Sequence, residues 1–189
     1  MTIKIYGRLS SANVQKVVWF CNEADLSFKS FILGGVHGGT KTDMFIKMNP
    51  NSRVPVINDD DYILYESNAI LRYLSIKYQF LKSNDYKLQG TIDQWIDWAS
   101  FTFGSQCSLL TAHKLSLPKE KRDHIIAEQA SLEIYNLLSI LEKNLKINKY
   151  IVEKDFSLAD IPLGVWIHRC INLNIKLNNF KKIENWYSR

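Results

Sequence analysis

Asn49-Pro-Asn-Ser-Arg-Val-Pro-Val-Ile-Asn-Asp-Asp-Asp-Tyr-Ile-Leu-Tyr-Glu-Ser-Asn-Ala-Ile-Leu-Arg-Tyr-Leu74 separates by residue type alone into two strands, a turn and the start of a helix. Val54-Pro-Val-Ile and Tyr62-Ile-Leu-Tyr are β-rich runs, and Asn58-Asp-Asp-Asp between them carries turn chemistry, which predicts a hairpin. Glu66-Ser67 then opens a helix. Its apolar residues fall at Ile70, Leu71, Tyr73, Leu74 and Tyr78, leaving Arg72 and Lys77 for solvent. Pro55 cannot donate to a ladder, so it belongs at an edge, a bulge or a strand entry. From this residue alone two readings stand: an ordinary strand-entry proline, or a cis Val54-Pro55 bond that leaves the Val54 N–H and C=O free to pair with an extended peptide.

Working toward the N-terminus, residues 2 to 7 alternate and stop at a glycine, as a strand does. Ser10 and Ser11 are candidate caps for a helix carrying Val14, Val17, Val18 and Cys21 on its apolar side, and Phe28 to Leu33 is a second strand. A strand, a helix and a strand make a βαβ unit with a parallel pair. Gly34 to Gly39 is a loop, and Asp43 to Met48 a short helix. Beyond a polar segment at Phe80 to Tyr86 every signal is helical. Gln89 to Ala112 is long and aromatic, Pro118 starts a helix running to about Asn144, and Ser157 starts a third. Ser157-Leu-Ala-Asp160 has the form of a capping box flanked by Phe156 and Ile161 as a staple, a folding signal with no chemistry of its own. Pro162 lies one turn further in, where it removes the hydrogen bond to Leu158.

The bulk of the chain narrows the function classes. Its 189 residues suffice for one large core or two small ones. The net charge of +5 is dispersed, and the densest basic cluster, Lys119 to Arg122, has Glu120 inside it, so a solvated helical face is expected rather than a nucleic-acid surface. Cys21, Cys107 and Cys170 are far apart and odd in number, with no Cys-x-x-Cys. That predicts reduced thiols in a cytoplasm and no metal site. There is no apolar signal region and no run long enough to span a bilayer, so no membrane association is expected.

Asn49-Pro50, Arg53-Val54-Pro55 and Glu66-Ser67-Asn68-Ala69-Ile70, with Tyr73-Leu74 after them, resemble the glutathione-site signature of the cytosolic glutathione transferases. Leu9-Ser-Ser-Ala-Asn13 is similar to the serine loop of the theta-like and bacterial members, and Phe156-Ser-Leu-Ala-Asp-Ile161 resembles the family's C-terminal helix-start motif. The resemblance spans nearly the whole chain. It implies an α/β thioredoxin-like domain at residues 1 to 79, a linker at 80 to 86, and an all-helical bundle at 87 to 189. It also implies a homodimer, with no cofactor beyond glutathione as co-substrate.

Such a site must make a thiol nucleophilic at neutral pH, which takes a hydroxyl donor to sulfur and a helix N-terminus behind it. The resemblance places Ser11 in that role, with Ser10 the alternative if the loop is shifted by one. Tyr6, near the position of the tyrosine used by the alpha, mu and pi classes, is the rival. Asn13 stands as a second donor to the thiol. Ser67 with its helix N-terminus would take the γ-glutamyl carboxylate, Glu66 the ammonium, and Val54 the cysteinyl backbone. Lys41 and Arg53 are candidates for the glycine carboxylate, ahead of His37. A small hydrophobic electrophile would be the second substrate, with Trp98, Phe101, Cys107 and Trp166 as the expected pocket lining. Two other functions stay open: a non-catalytic scaffold on the same fold, and an isomerase like the maleylacetoacetate enzymes of the zeta class. Ala12 counts against the isomerase, since it stands where that class has a cysteine. The chain stops at Trp186-Tyr-Ser-Arg189, where most members continue.

Overall fold

The computed structural model describes residues 2–189, which divide into two compact units between Lys82 and Ser83. In the first, β1 (Ile3–Tyr6) leads through α1 (Ala12–Glu23) to β2 (Phe28–Phe31). A 3-10 turn at Gly35–His37 and α2 (Asp43–Met48) follow, then β3 (Val56–Asp59), β4 (Tyr62–Tyr65) and α3 (Ser67–Tyr78). The sheet order is β2-β1-β3-β4, with β1 parallel to β2 and antiparallel to β3, and β3 antiparallel to β4. This is the thioredoxin-like arrangement. The βαβ half supplies the parallel pair and the hairpin supplies the antiparallel one.

Strand β1 buries Ile3 and Ile5 and exposes Lys4, the period-two pattern of its sequence. Val56 and Ile57 point to opposite faces of β3 and both are fully buried, so this central strand is covered on both sides. The hairpin closes tightly. Asp59 pairs with Tyr62 across the sheet, and Asp60 and Asp61 form a two-residue turn with φ of 49° and 67°, the left-handed pair of a type I′ loop. Of the three aspartates expected to form the turn, Asp59 instead belongs to the strand. Its buried carboxylate accepts from Tyr73 Oη at 2.9 Å and Lys77 Nζ at 2.6 Å. Lys77 is thus an ion-pair partner rather than a solvated charge, and the bond to Asp59 holds its ammonium above the ordinary lysine range.

The second unit begins with α4 (Tyr86–Asp97), whose N-cap Asp85 accepts from the N–H groups of Lys87 and Leu88. The helix continues through a π-helical segment, Trp98–Phe103, into α5 (Gly104–Thr111) and a second π segment at Ala112–Ser116. Pro118 opens only a 3-10 turn. Helix α6 (His124–Ile147) starts later, where Asp123 caps the N–H groups of Ile125 and Ile126. Two helices follow, α7 (Asp160–Asn172) and α8 (Lys181–Tyr187). α5 packs against α6 and α7, and α8 against α6. Pro162 lies in the first turn of α7, where an N–H would have no intrahelical acceptor, so it costs no ladder bond.

The helix expected to start at Ser157 starts at Asp160, with Ala159 as an N-cap that makes no side-chain cap bond, and the Ser157 hydroxyl donates to Asp160 instead. Asp160 is fully buried, and its carboxylate accepts from Ser157 N, Ser157 Oγ, Ile151 N and Trp186 Nε1, all at 2.8 to 3.0 Å. One side chain therefore ties together the entry to α7, the loop after α6 and the C-terminal helix. Burial pushes its carboxyl above the usual range, and these four donors oppose that push.

Candidate functional site

Within the first unit, the expected ligand residues other than Lys41 sit on three adjoining pieces of backbone: the start of α1, the loop before β3, and the start of α3. Gly7 fixes how closely the first two approach. A Cβ there would lie 2.5 Å from Val14 Cγ2 and 3.1 Å from Val54 Cβ, so only glycine lets the end of β1 pass between them. The Val54-Pro55 bond is cis. Val54 itself lies outside the ladder, whose register with β1 ends at Tyr6 and Val56. The loop behind it is pinned by the buried Asn49, which donates Nδ2 to Arg53 O at 2.7 Å and accepts from Asn51 N at 3.0 Å.

Ser11 is the N-cap of α1 in extended conformation, and its side chain makes no capping hydrogen bond. Its hydroxyl is therefore held at a helix N-terminus without being spent on the helix. Glu66 occupies the corresponding place on α3 with φ +69° and ψ 109°, a left-handed conformation that a non-glycine residue adopts at a cost of about 1–3 kcal/mol. It is exposed, while Ser67 behind it is only 7% exposed. The positive end of α1 has no acidic residue in its first turn, whereas that of α3 carries the Glu66 carboxylate at its N-cap. The two meet through side chains: Ser67 Oγ donates to Asn13 Oδ1 at 3.3 Å.

Behind this contact lies a residue absent from the expected set. Lys16 is 1% exposed, and its Nζ donates to the same Asn13 Oδ1 at 3.0 Å. Burial drags its ammonium from 10.5 down to about 7, against the upward pull of the Glu66 carboxylate. The signal was present in the spacing: Lys16 falls four residues after Ala12 and four before Phe20, on the buried stripe of α1.

Tyr6 stacks its ring on Phe31, centroids 4.9 Å apart and planes 18° from parallel, as a packing residue of neighbouring strands. Lys41, at the approach to α2, and Arg53, in the loop before β3, are exposed cations, and His37 at the end of its 3-10 turn is exposed as well. In the helical unit the four expected pocket residues do not form one surface. Cys107 is fully buried with its Sγ 3.3 Å from that of Cys170. Trp166, at 6% exposure, packs its indole on Gly104. Both are core residues. Phe101 is 80% exposed, and Trp98 is half-buried between Trp95 and Phe103.

All three cysteines are buried. Burial and the Asp59 charge push the Cys21 thiol up to about 12, and burial with the neighbouring Cys170 raises the Cys107 thiol as well. These are poor nucleophiles. The helix ends set a hydroxyl and an amide, Ser11 and Asn13, at one N-terminus, a hydroxyl and a carboxylate, the buried Ser67 and the exposed Glu66, at the other, with Val54 outside the ladder between them.

Residues 1–75 match the sequence profile of the glutathione S-transferase N-terminal domain, and residues 96–189 that of the glutathione S-transferase C-terminal domain. Glutathione S-transferase GstB of Escherichia coli is 29% identical over 191 aligned residues, covering 99% of this chain and 92% of the relative. Disulfide-bond oxidoreductase YfcG of Escherichia coli is 25% identical, covering 94% and 85%. Among solved structures, the theta class glutathione S-transferase from Xanthomonas axonopodis pv. citri with glutathione bound superposes with a TM-score of 0.94 at 32% identity, covering 100% of this chain and 91% of that one.

Proposed function

This chain belongs to the glutathione S-transferase family, and on that premise we propose that it binds glutathione across the two helix N-termini and transfers its thiolate to a small hydrophobic electrophile. The observation that carries the reading is the Asn13–Ser67 bond, which brings the N-terminal ends of α1 and α3 into one site. A doubly charged γ-glutamyl end finds Ser67 and its helix N–H groups for the carboxylate, and Glu66 for the ammonium. An extended cysteinyl unit pairs with the Val54 backbone as an added strand does. The sulfur then lies by Ser11, whose uncommitted hydroxyl donates to it while the α1 terminus supplies positive field. Lys41 and Arg53 attract the glycine carboxylate. The enzyme acts as a cytoplasmic homodimer without a further cofactor.

The likeness to a disulfide-bond oxidoreductase favours a second use of the same thiolate, attack on a disulfide. Because the chain's own cysteines are buried, that chemistry would run through glutathione sulfur alone. Retention on immobilised glutathione, followed by turnover of a panel containing apolar electrophiles and a small mixed disulfide, tests the reading and separates the two uses. A protein that is not retained and turns over nothing refutes both and leaves the scaffold.

A further inference from the structure

Asn13 presents a carboxamide at the first turn of α1, two residues after Ser11, and a carboxamide can face either way round. Its direction is settled by chemistry. In its ammonium form Lys16 has donors and no acceptor, so the atom 3.0 Å from its Nζ is then the amide oxygen. The Ser67 hydroxyl, 3.3 Å from that same oxygen, donates to it as well. With Oδ1 drawn toward the buried side by both donors, the N–H2 group points away from Lys16, and Asn13 as a residue is exposed. Resting on the glutathione reading above, we propose that Lys16 is a positioning residue for the thiol: by holding Asn13 Oδ1 from inside the fold, it presents the Asn13 N–H2 to the bound cysteinyl sulfur beside the Ser11 hydroxyl.

No bond is made or broken in this step. Lys16 never touches the ligand. It acts through Asn13, by removing the alternative in which the amide oxygen faces a thiolate and repels it. The position is costly to maintain, since a long aliphatic chain ending in an ammonium occupies a site that the stripe of α1 would fill with an apolar residue. The Lys16 amino group and the Ser67 hydroxyl, both on Oδ1, together give the amide one orientation. An amide fixed before the ligand arrives donates to sulfur without reorganising.

The test compares wild type with Lys16→Met, Asn13→Ala and the double variant. Turnover is followed with an apolar electrophile, and the thiol pKa of bound glutathione by the ultraviolet absorbance of its thiolate. Wild type must first bind glutathione and turn over; if it does not, the underlying glutathione reading fails, an outcome distinct from any difference among the variants. Lys16→Met should raise the bound thiol pKa and lower kcat about five- to tenfold, with a smaller change in KM for glutathione. Added to Asn13→Ala it should change kcat less than twofold, since the residue through which it acts is gone. A Lys16→Met variant with the wild-type thiol pKa, or effects that multiply in the double variant, would overturn the proposal. Asn13→Asp provides a check that leaves Lys16 in place. It keeps an acceptor for Lys16 and Ser67 but has no N–H2, so it must also raise the thiol pKa, and a wild-type value there refutes the donor.

Discussion

Replacing Lys16 by Met should give a more stable protein as well as a slower one. The magnitude comes from the lowering of the ammonium from 10.5 in the unfolded chain to about 7 in the fold, with burial the cause and Glu66 opposing. Each tenfold in proton affinity corresponds to about 1.4 kcal/mol, so at pH 7 and below the buried cation costs on the order of 4 kcal/mol relative to a neutral side chain. The substitution also removes the hydrogen bond to Asn13, worth about 1.5–3 kcal/mol for a charged donor. The net expectation is a gain of about 2 kcal/mol at pH 7. Between the two pKa values the unfolded chain holds a proton that the folded one has released, so wild-type stability rises with pH through this window. By pH 9 the penalty on wild type falls by about 2 kcal/mol, and the advantage of the variant should nearly vanish. Urea unfolding at both pH values reads this as a midpoint shift at constant slope. Taking the difference between the two proteins cancels other groups that titrate nearby, Cys21 among them. A variant less stable than wild type at pH 7 by more than about 1 kcal/mol, or an advantage unchanged at pH 9, would show that the ammonium is not held as described.

Ser11→Ala should cut turnover about tenfold or more with glutathione affinity nearly intact, because one hydrogen bond to a charged sulfur is lost; Tyr6→Phe, by contrast, should stay within about twofold of wild type, and the reverse ranking would move the activating role to the tyrosine. Gly104→Ala should destabilise the helical unit by about 1–3 kcal/mol in a thermal melt despite better helix propensity. The new Cβ would lie 2.6 Å from Trp166 Nε1 and 2.7 Å from Ala99 O, and an unchanged melting temperature would contradict that packing. Asp160→Ala should cost about 3 kcal/mol or more by leaving the buried donors of Ile151, Ser157 and Trp186 unpaired, a loss measured by denaturant midpoint. Light scattering should give about 44 kDa for a two-fold dimer of the 22.0 kDa chain, and a monomer that turns over would refute that assembly.

Residue type was a good guide where one physical effect dominated. The alternation at Ile3–Tyr6, the stripe of α3 and the hairpin around the aspartates all reduce to which side chains leave water, and these were legible. Asp59, Asp60 and Asp61 have the same chemistry, so which of them belongs to the strand and which to the turn was decided by pairing across the sheet, a non-local matter. Lys16 was hidden for a different reason. A lysine among Val14, Val17 and Phe20 is read as the solvated residue of an amphipathic helix, and only its place on the stripe pointed inward. Aromatic residues in helices do not show from sequence whether they face core or surface: Trp166, on α7, and Phe101, in Trp98–Phe103, lie at opposite extremes of exposure. Helix starts misled where proline invited one at Pro118 while the true capping carboxylate, Asp123, lay five residues on.

The π-helical turns on either side of α5 give this helix a property closer to grammar than to packing. Each π turn takes in an additional residue relative to an α-helix, so the residues after it are rotated by roughly 100° from where the preceding stripe would have led. The residues of Tyr86–Asp97 and those of Gly104–Thr111 are thus written in different reading frames along a single rod. Removing one residue from Trp98–Phe103 would restore the ordinary frame and swing Cys107 and Leu110, both fully buried, off the face they now occupy. A deletion there would disturb side chains it never touches.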